Sequence, residues 1–384
     1  MSHVTARDRG LTCFAAAGPG LEPLVAAELR ALGELHSVAV GETEPGGVSF
    51  RADRAGLYAA NLHLRIASRV LVRMGTFHAS AFHELERHAA RLPWREFVAS
   101  GSPVAFRVTS RKSRLYHQDA IAQRLLAVAG GTTAPEGDAA QEFVVRLFRD
   151  ECTVSADASG ELLHRRGYRL ATAKAPLRET LAAAMLMGSG WDGSAPLVDP
   201  MCGSGTIPIE AALAARRIPP GLLRGFAVER WPGVTAALAS AVRAELGTAM
   251  LAAAPGRILG SDRDAGAIES ARGNAARADV SSDVELDVHA LSAMQLPEAE
   301  RGWIVSNPPY GVRVGDSARV RDLWAQLGNV LRRRAPGWQV TLLSPDAALE
   351  RQLQIPLRVV ARTTNGGIPV RIVSGEVPGR GAGS

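Results

Sequence analysis

The second half of the chain alternates short apolar runs with helical segments, and this alternation constrains the fold more than any other feature. The apolar runs predict strands at 196–199, 257–262, 284–289, 303–306 and 339–343. The segments between them predict helices at 207–216, 265–278 and 318–334. Two further β segments flank the turn sequence Asn365-Gly366-Gly367 and predict an antiparallel pair at the end. Because repeated strand–helix units form mostly parallel sheets, the sequence predicts a doubly wound α/β fold.

The first half of the chain has a different organisation, which we interpret as a smaller α+β region. Apolar spacing predicts helices at 21–32, 53–73, 77–92 and 118–129. Strands are predicted at 11–15, from Pro103 onward, at 143–148 and at 152–156. Pro176 precedes an Ala/Leu-rich segment and predicts the start of another helix. We place the major domain boundary near this proline.

The composition is that of a globular protein. It is 46% hydrophobic and 21% charged, and no apolar run approaches the roughly 20 residues of a membrane-spanning helix. The N-terminal residues lack the apolar core of a secretory signal. The three cysteines are far apart and form no Cys-x-x-Cys pair, which argues against a disulfide framework and a zinc site. We therefore expect a cytoplasmic protein of two or three domains, and its net charge of +6 is compatible with a polyanionic partner.

A glycine loop follows the first strand of the α/β region, where the ligand of such a sheet is usually contacted. The loop reads Asp199-Pro-Met-Cys-Gly203-Ser-Gly205-Thr206, which matches neither Gly-x-Gly-x-x-Gly nor a Walker sequence and disfavours a pyrophosphate. Its glycines permit close backbone approach, and Asp199 suits a cationic or donor-rich ligand. Asp262, which ends the next strand, is placed to bind a ribose diol. These features predict S-adenosylmethionine as the cofactor, and the alternative is a glycine turn that serves packing alone.

The segment from Trp303 to Gly311 ends a buried strand in Asn307-Pro308-Pro309-Tyr310. The Asn307 side-chain oxygen and a proline carbonyl can each accept one N–H of a planar amino group, while Tyr310 covers the ring. The alternative is a strand that ends in a Pro-Pro turn without any chemical role. We interpret the segment as the catalytic one.

Basic residues concentrate in two segments of the first half of the chain. Cations next to hydroxyls and an aromatic ring suit phosphate oxygens and an unpaired base, although a solvated charged surface is the alternative. The candidate nucleic-acid-binding residues, which the resemblance described below assigns to RNA, are Arg107, Arg111, Lys112, Arg114, Tyr116, Arg165, Arg166 and Arg169.

The order of these motifs resembles a known family. Asp-Pro-x-Cys-Gly-Ser-Gly-Thr, then Gly260-Ser-Asp262, then Asn307-Pro-Pro-Tyr-Gly is similar to the class I RNA methyltransferases that carry an N-terminal THUMP domain. More narrowly, the chain resembles the guanine-N2 methyltransferases of ribosomal and transfer RNA. Segments 57–71, 113–117 and 163–169, with Ala-Pro-Leu-Arg-Glu-Thr-Leu after the last, are also similar to segments of that family.

The resemblance implies a domain order and partners. Residues 1–60 would form a ferredoxin-like module, 61–160 a THUMP domain that binds RNA, and 161–384 a Rossmann-like methyltransferase domain with a mostly parallel seven-stranded sheet. The partner would be structured RNA, with ribosomal RNA of the large subunit first and transfer RNA next. We expect a monomer that uses no metal.

The resemblance also implies roles for individual residues. Asn307, Pro308, Pro309 and Tyr310 would be catalytic. The cofactor would be bound by Pro176, Thr180, Asp199, Met201, Cys202, Gly203, Gly205, Thr206, Asp262, Arg263, His289 and Ala290. One departure concerns the third strand, where many relatives carry an acid that binds the adenine amino group and this chain reads Val288-His289-Ala290. We therefore expect the backbone of His289 and Ala290 to contact the adenine.

Three alternatives stay open. The same tetrapeptide would suit N6-adenine or N4-cytosine methylation, since each acceptor is an exocyclic amine. The chain could also be a non-catalytic RNA assembly factor with a decayed cofactor site. Cys202 could suggest covalent cytosine-C5 chemistry, but its place inside the glycine loop favours a small packing residue.

Overall fold

The computed structural model describes residues 10–99, 101–133, 139–169, 177–246, 249–310 and 317–379. The chain forms two compact units. The first contains residues 10–16, Val25–Leu163 and Gly225–Glu245, and the second contains Ala17–Leu24, His164–Arg224 and residues 246–379. Pro176 and Gly311 lie outside the described residues.

The helices and strands are numbered in chain order. The strands are β1 (Leu11–Ala16), β2 (Val38–Glu44), β3 (Gly47–Ala52), β4 (Arg69–His78), β5 (Pro103–Arg111), β6 (Thr132–Thr133), β7 (Gln141–Phe148), β8 (Glu151–Asp157), β9 (Leu197–Asp199), β10 (Ile258–Asp262), β11 (Val284–Val288), β12 (Trp303–Ser306), β13 (Gln339–Ser344), β14 (Arg358–Asn365) and β15 (Ile368–Glu376). The helices are α1 (Glu22–Gly33), α2 (Arg54–His63), α3 (Phe82–Ala89), α4 (Gln118–Ala129), α5 (Glu179–Ser189), α6 (Thr206–Ala215), α7 (Ala236–Leu246), α8 (Ala265–Arg277), α9 (Ser317–Arg334) and α10 (Ala347–Leu353).

The first unit is built on one continuous sheet. Within the described residues its strands lie in the order β2-β3-β1-β4-β8-β7-β5-β6. Strand β4 pairs with β1 on one side and β8 on the other, so strands on both sides of the predicted boundary at residue 60 share this sheet. The N-terminal α+β organisation is confirmed, and the THUMP assignment and the domain boundaries stay predictions.

Two predicted helices of this unit exist but are shorter than predicted. The helix predicted from Asp53 to Arg73 ends at His63, and the chain continues as strand β4 from Arg69. Residues 69–72 are buried without a break, as in a central strand that is covered on both faces, so periodicity alone could not distinguish strand from helix. The helix predicted from residue 77 begins only at Phe82, because Phe77 and His78 pair with β8.

The second unit has the predicted doubly wound sheet. Within the described residues its strands lie in the order β11-β10-β9-β12-β13-β15-β14. The ladders from β11 to β13 are parallel, and β15 runs antiparallel to both β13 and β14. The seven-stranded, mostly parallel sheet and its terminal antiparallel pair are therefore confirmed. Trp324 of α9 is fully buried in the hydrophobic core beside β12 and β13.

The helix that was predicted to start at Pro176 is α5, and it begins at Glu179 with Arg178 at its N-cap. Its residues from Glu179 to Leu186 are all buried. A helix that is apolar all round lies in a core, so the Ala/Leu-rich sequence identified this element correctly.

A segment from the second half of the chain belongs to the first unit. Residues Gly225–Glu245 pack on the first unit. Trp231 is 3% exposed, its indole N–H donates to Gln141 Oε1 at 2.7 Å, and its ring meets Phe97 edge-on at 4.9 Å. The Tyr58 hydroxyl donates to Glu229 Oε1 at 2.8 Å. This segment thus supplies core contacts to a unit that the chain had left at residue 163.

Across the described part of the chain, no helix combines the length and the apolar character needed to cross a membrane.

Candidate active site

Three neighbouring strands of the second unit end in polar residues at the same edge of the sheet. Strand β9 ends in Asp199 and β10 in Asp262, and Asn307 follows β12 directly. The strands lie in the order β10-β9-β12 and run parallel, so their carboxyl ends meet there. The ligand of an open α/β sheet binds beyond these ends. The structure thus gathers the three residues that the sequence singled out as central.

Asp199 is a buried carboxylic acid at the centre of this edge. It is 1% exposed, and its Oδ1 accepts hydrogen bonds from Ser306 Oγ at 2.6 Å and from the Met201 backbone N–H at 3.1 Å. Burial raises the pKa of Asp199 to about 7, although the bonds from Ser306 and Met201 act in the opposite direction. This group can therefore change its protonation state near neutral pH and would be stabilised as a carboxylate by a cationic ligand.

The glycine loop connects β9 to α6 with two left-handed residues. Gly205 has φ of 82°, and a Cβ added there would lie 2.9 Å from Ala271 Cβ, so this glycine is required for packing. Gly203 has φ of 52°, and a Cβ there would meet open space. The loop therefore has a packed side at Gly205 and an open side at Gly203 where a ligand could approach the backbone.

Asp262 fixes the glycine loop to the end of β10. Its Oδ2 accepts from the Gly203 backbone N–H and its Oδ1 from that of Asp264, both at 3.0 Å. The His289 backbone N–H donates to the Asp262 carbonyl at 3.1 Å, which brings the β11 exit beside this carboxylate. Each Asp262 oxygen keeps a lone pair for a ribose hydroxyl.

The β11 exit presents an apolar surface rather than an acid. Val288 ends the strand with 48% of its side chain exposed, and Ala290 and Arg263 are exposed as well. Asp287 lies inside β11, one residue before its end. A flat aromatic ring could lie on Val288, a residue that the sequence analysis passed over because a strand-end valine looks like core.

The side chain of Asn307 has a hydrogen-bond acceptor that is not satisfied. Its side-chain Oδ1 is buried and has no hydrogen-bond partner among the described residues. Such groups are rare in native structures, and they often mark functional positions. Pro308 beside it is buried, and the Pro309 carbonyl accepts from the Trp324 indole N–H at 3.2 Å. The Pro-Pro segment is thus anchored to the core, whereas the Asn307 carboxamide oxygen accepts no hydrogen bond from the described residues.

Tyr310 is held by a residue that is distant in the sequence. Asn365 Nδ2 donates to the Tyr310 hydroxyl at 2.7 Å, and burial raises the pKa of this phenol. Its ring is partly buried against the hydrophobic core. Asn365, at the end of β14, was not identified from the sequence because 55 residues separate it from its partner. Ser306 was not predicted from the sequence either, although a polar residue at the end of a buried strand could have indicated it.

Cys202 is buried in the glycine loop. Burial, together with the negative charges of Asp199 and Asp262, raises the pKa of its thiol well above the ordinary range. A nucleophilic cysteine needs the thiolate. The packing interpretation is therefore favoured over covalent chemistry.

Three other predicted cofactor residues have buried or partly buried side chains. Thr180 is buried in α5, and the Thr206 hydroxyl, at the start of α6, accepts from Arg169 Nη2 at 2.5 Å. Met201 lies partly buried against the hydrophobic core.

The predicted basic residues divide into two groups. Arg107, Arg111, Lys112, Arg114 and Tyr116 are exposed on the first unit, and Tyr116 is 67% exposed. A surface role for these residues stays a prediction.

The second basic segment needs a correction. Arg166 is 3% exposed and lies 3.4 Å from Glu210 Oε1, which also accepts from the Tyr168 hydroxyl at 3.1 Å. Arg169 Nε lies 3.2 Å from Glu179 Oε1. These two arginines form buried ion pairs, because a buried carboxylate requires a partner, and this burial argues against the predicted RNA contacts. Arg165, by contrast, is exposed.

Comparisons with known proteins agree with this architecture. Residues 166–369 match the family model described as RMKL-like, methyltransferase domain, and residues 12–71 match the RlmL ferredoxin-like domain. The ribosomal RNA large subunit methyltransferase K/L of Syntrophotalea carbinolica is 35% identical over 96% of this chain, but the chain spans 54% of that protein. A Synechocystis protein described as a candidate RNA methyltransferase, slr0064, is 34% identical over 95% of this chain and 96% of its own length.

A solved structure is similar over its whole length. The candidate methyltransferase SMU.472, solved in complex with SAH, superposes with a TM-score of 0.86 at 30% identity. The superposition covers 97% of this chain and 99% of SMU.472.

Proposed function

Because the chain belongs to the family of RMKL-like methyltransferase domains, we propose that it methylates RNA with S-adenosylmethionine as the methyl donor. The acceptor is the exocyclic N2 of a guanosine in structured RNA, with large-subunit ribosomal RNA first and transfer RNA next. The chain spans about half the length of the K/L relative, so only part of that protein's activity is assigned to it.

The residues at the strand ends suit this cofactor. Asp199 would bind the ammonium group of its amino acid moiety, Asp262 would accept from the ribose hydroxyls, and Val288 with the His289–Ala290 backbone would border the adenine. The open space at Gly203 admits the close approach that such a ligand requires. The cofactor supplies an electrophilic methyl group, and the chain supplies position and electrostatics.

The proposal rests mainly on the buried Asn307 Oδ1, which has no hydrogen-bond donor among the described residues. An amino group satisfies it by donating one N–H, and the Pro308 carbonyl accepts the second. Two such bonds draw the nitrogen towards tetrahedral geometry and aim its lone pair. Alignment of this kind lowers the barrier without a nucleophilic residue. Tyr310 stacks on the base, which must first leave its helix.

The choice of guanine over adenine or cytosine rests on the family, since Asn307 accepts from any of these amines. Two relatives are named for RNA, and one of them for ribosomal RNA. The exposed basic residues of the first unit, from Arg107 to Tyr116, are consistent with such a polyanion.

Methyl transfer from a labelled donor to deproteinised RNA tests the proposal. We expect labelled N2-methylguanosine when the modified RNA is digested to nucleosides and separated. Label on N6-methyladenosine or N4-methylcytidine would reject guanine and keep the enzyme class. Absence of both transfer and S-adenosylhomocysteine binding in calorimetry would favour the assembly-factor alternative.

A further inference from the structure

A cavity of about 370 Å³ opens in the second unit. Its walls come from the loop before α1, the connection from β13 to α10, and the β14–β15 hairpin. The lining residues are Pro19, Pro345, Asp346, Ala347, Arg362, Thr363, Thr364, Pro369, Val370 and Arg371. None of these residues was assigned a role above.

Two arginines face each other across the hairpin that forms one wall. Arg362 of β14 and Arg371 of β15 are paired residues in an antiparallel ladder, so their side chains share one face of the sheet. Like charges directly opposite each other destabilise a sheet. Arg371 lies 2.8 Å from Glu350 Oε1, but its Nε is buried without a hydrogen-bond partner among the described residues. The exposed Arg362 adds a positive charge that this single carboxylate does not balance.

The rest of the wall suits the other parts of a nucleotide. Three prolines, Pro19, Pro345 and Pro369, give the cavity rigid apolar surfaces on which a base ring can lie. Thr364, opposite Pro369, is exposed on the same face as the arginines and carries a hydroxyl for a phosphate or ribose oxygen. The Asp346 carboxylate is engaged as the N-cap of α10, where its Oδ1 accepts from the backbone N–H groups of Ala348 and Leu349.

The β14–β15 hairpin links the cavity wall to the candidate active site. Ser306 of β12 pairs with Leu342 of β13, and Ser344 at the end of β13 pairs with Arg371. Neighbouring strands are about 4.8 Å apart, so Arg371 lies roughly two strand spacings, or about 10 Å, from β12, the strand that precedes Asn307. Asn365, three residues beyond Arg362, holds the Tyr310 hydroxyl. One hairpin therefore borders both the position of the acceptor base and the cavity.

We propose that this cavity binds the nucleotide next to the methylated one on the same RNA strand. Its phosphate lies between Arg362 and Arg371, and its base packs on the prolines. The inference rests on the proposed function, which it deepens by assigning a second contact to the substrate. It also gives the chain a way to keep the acceptor base extruded, because the neighbouring phosphate is fixed.

Binding of a short RNA to the full-length chain tests the site without catalysis. The probe is a fluorescein-labelled single strand of roughly 12 nucleotides with one central guanosine, titrated in saturating S-adenosylhomocysteine. We expect Arg362→Gln to weaken binding about tenfold and to reduce the salt slope by about 0.7, the value for one phosphate contact on a single strand. Arg362→Lys keeps the charge and should keep the slope.

The matched control is Arg358→Gln, which removes an exposed arginine from the same strand but outside the cavity. It should change affinity less than twofold. The inference would be overturned if Arg358→Gln and Arg362→Gln lowered RNA affinity equally. It would also be overturned if the unaltered chain did not bind the probe measurably. Normal binding and slope in Arg362→Gln with intact methyl transfer would reject this site alone. If the unaltered chain does not methylate guanosine but Arg362→Gln still weakens RNA binding, the proposed function alone would be rejected.

Discussion

A single buried oxygen atom distinguishes Asn307 from the other polar residues at the carboxyl edge of the second sheet. Asp199 and Asp262 already accept hydrogen bonds from the glycine loop, from Ser306 and from Asp264, whereas Asn307 Oδ1 has no donor among the described residues. Leaving a buried acceptor unmet costs about 1–3 kcal/mol. We therefore expect a bound ligand to supply the hydrogen-bond donor that this oxygen lacks.

Replacing Asn307 therefore should not harm the fold. Asn307→Ala removes an unsatisfied group, so we expect the free energy of unfolding to stay within about 0.5 kcal/mol, while methyl transfer falls about 10²- to 10³-fold. Single-turnover transfer and urea unfolding measure the two quantities. Asn329→Ala, an exposed asparagine of α9, is the matched control. A large loss of stability without a selective loss of transfer would assign Asn307 to structure.

Asp199 makes cofactor binding depend on pH. Burial raises its pKa to about 7, so below that pH the ligand-free chain holds a neutral acid that attracts an ammonium group poorly. We expect affinity for S-adenosylhomocysteine to rise between about pH 6 and about pH 8, with proton release on binding at the lower pH. Calorimetry in buffers of different ionisation enthalpy measures both.

Two variants locate this pH dependence. Asp199→Asn should flatten the affinity profile. Ser306→Ala removes a hydrogen bond that lowers the pKa of Asp199, so it should move the rise in affinity to higher pH. An unchanged profile in both variants would place the titrating group elsewhere.

At the scale of elements, the two glycines of the glycine loop have different structural roles. Gly205 lets the loop turn against α8, and Gly203, whose N–H donates to Asp262, leaves open space where a side chain would lie. Sequence alone identified the loop but could not assign these roles, because they depend on Ala271, a residue of another helix.

The two glycines should therefore respond differently to alanine. Gly205→Ala combines a φ of 82° with a 2.9 Å approach to Ala271 Cβ, and we expect it to lower stability by about 1–3 kcal/mol. Gly203→Ala meets no neighbour, so its stability loss should be smaller while cofactor affinity falls. Thermal unfolding with and without S-adenosylhomocysteine separates the effects. Equal losses of stability would contradict this division.

The same scale shows what sequence patterns could predict. Strands β9 to β13 and helices α6, α8 and α9 were predicted within two residues, because each apolar period is bounded by glycine, proline or a capping acid. Strand β4 was mistaken for helix because its first four residues are buried by neighbours on both faces. The hydrogen bond from Asn365 to Tyr310 joins residues that are distant in sequence, and the pairing of Arg362 with Arg371 depends on hairpin register; no local pattern encodes either.

At the scale of the molecule, the order of residues along the chain does not follow the two units. The segment Gly225–Glu245 sits between α6 and β10 in sequence but packs in the first unit. Sequence analysis placed the whole of 161–384 in one domain, because the segment carries no marker of where it would pack.

Trp231 tests this organisation in the intact chain. Trp231→Ala removes a ring packed against Phe97 and a hydrogen bond to Gln141, which should cost about 3–5 kcal/mol. Hydrogen exchange should then quicken in β7, which begins at Gln141, and not in β9 or β12. Faster exchange confined to the second unit would contradict the assignment of this segment.

The return of residues 225–245 to the first unit has a consequence for cleavage of the chain. A protease that cuts between residues 163 and 164 would leave the first sheet on one product. The other product would carry Trp231, which is buried in the core of the first unit. Apolar contacts of this kind re-form without a covalent link. The two products should therefore assemble as complementing fragments, and neither should be stable when it is expressed alone.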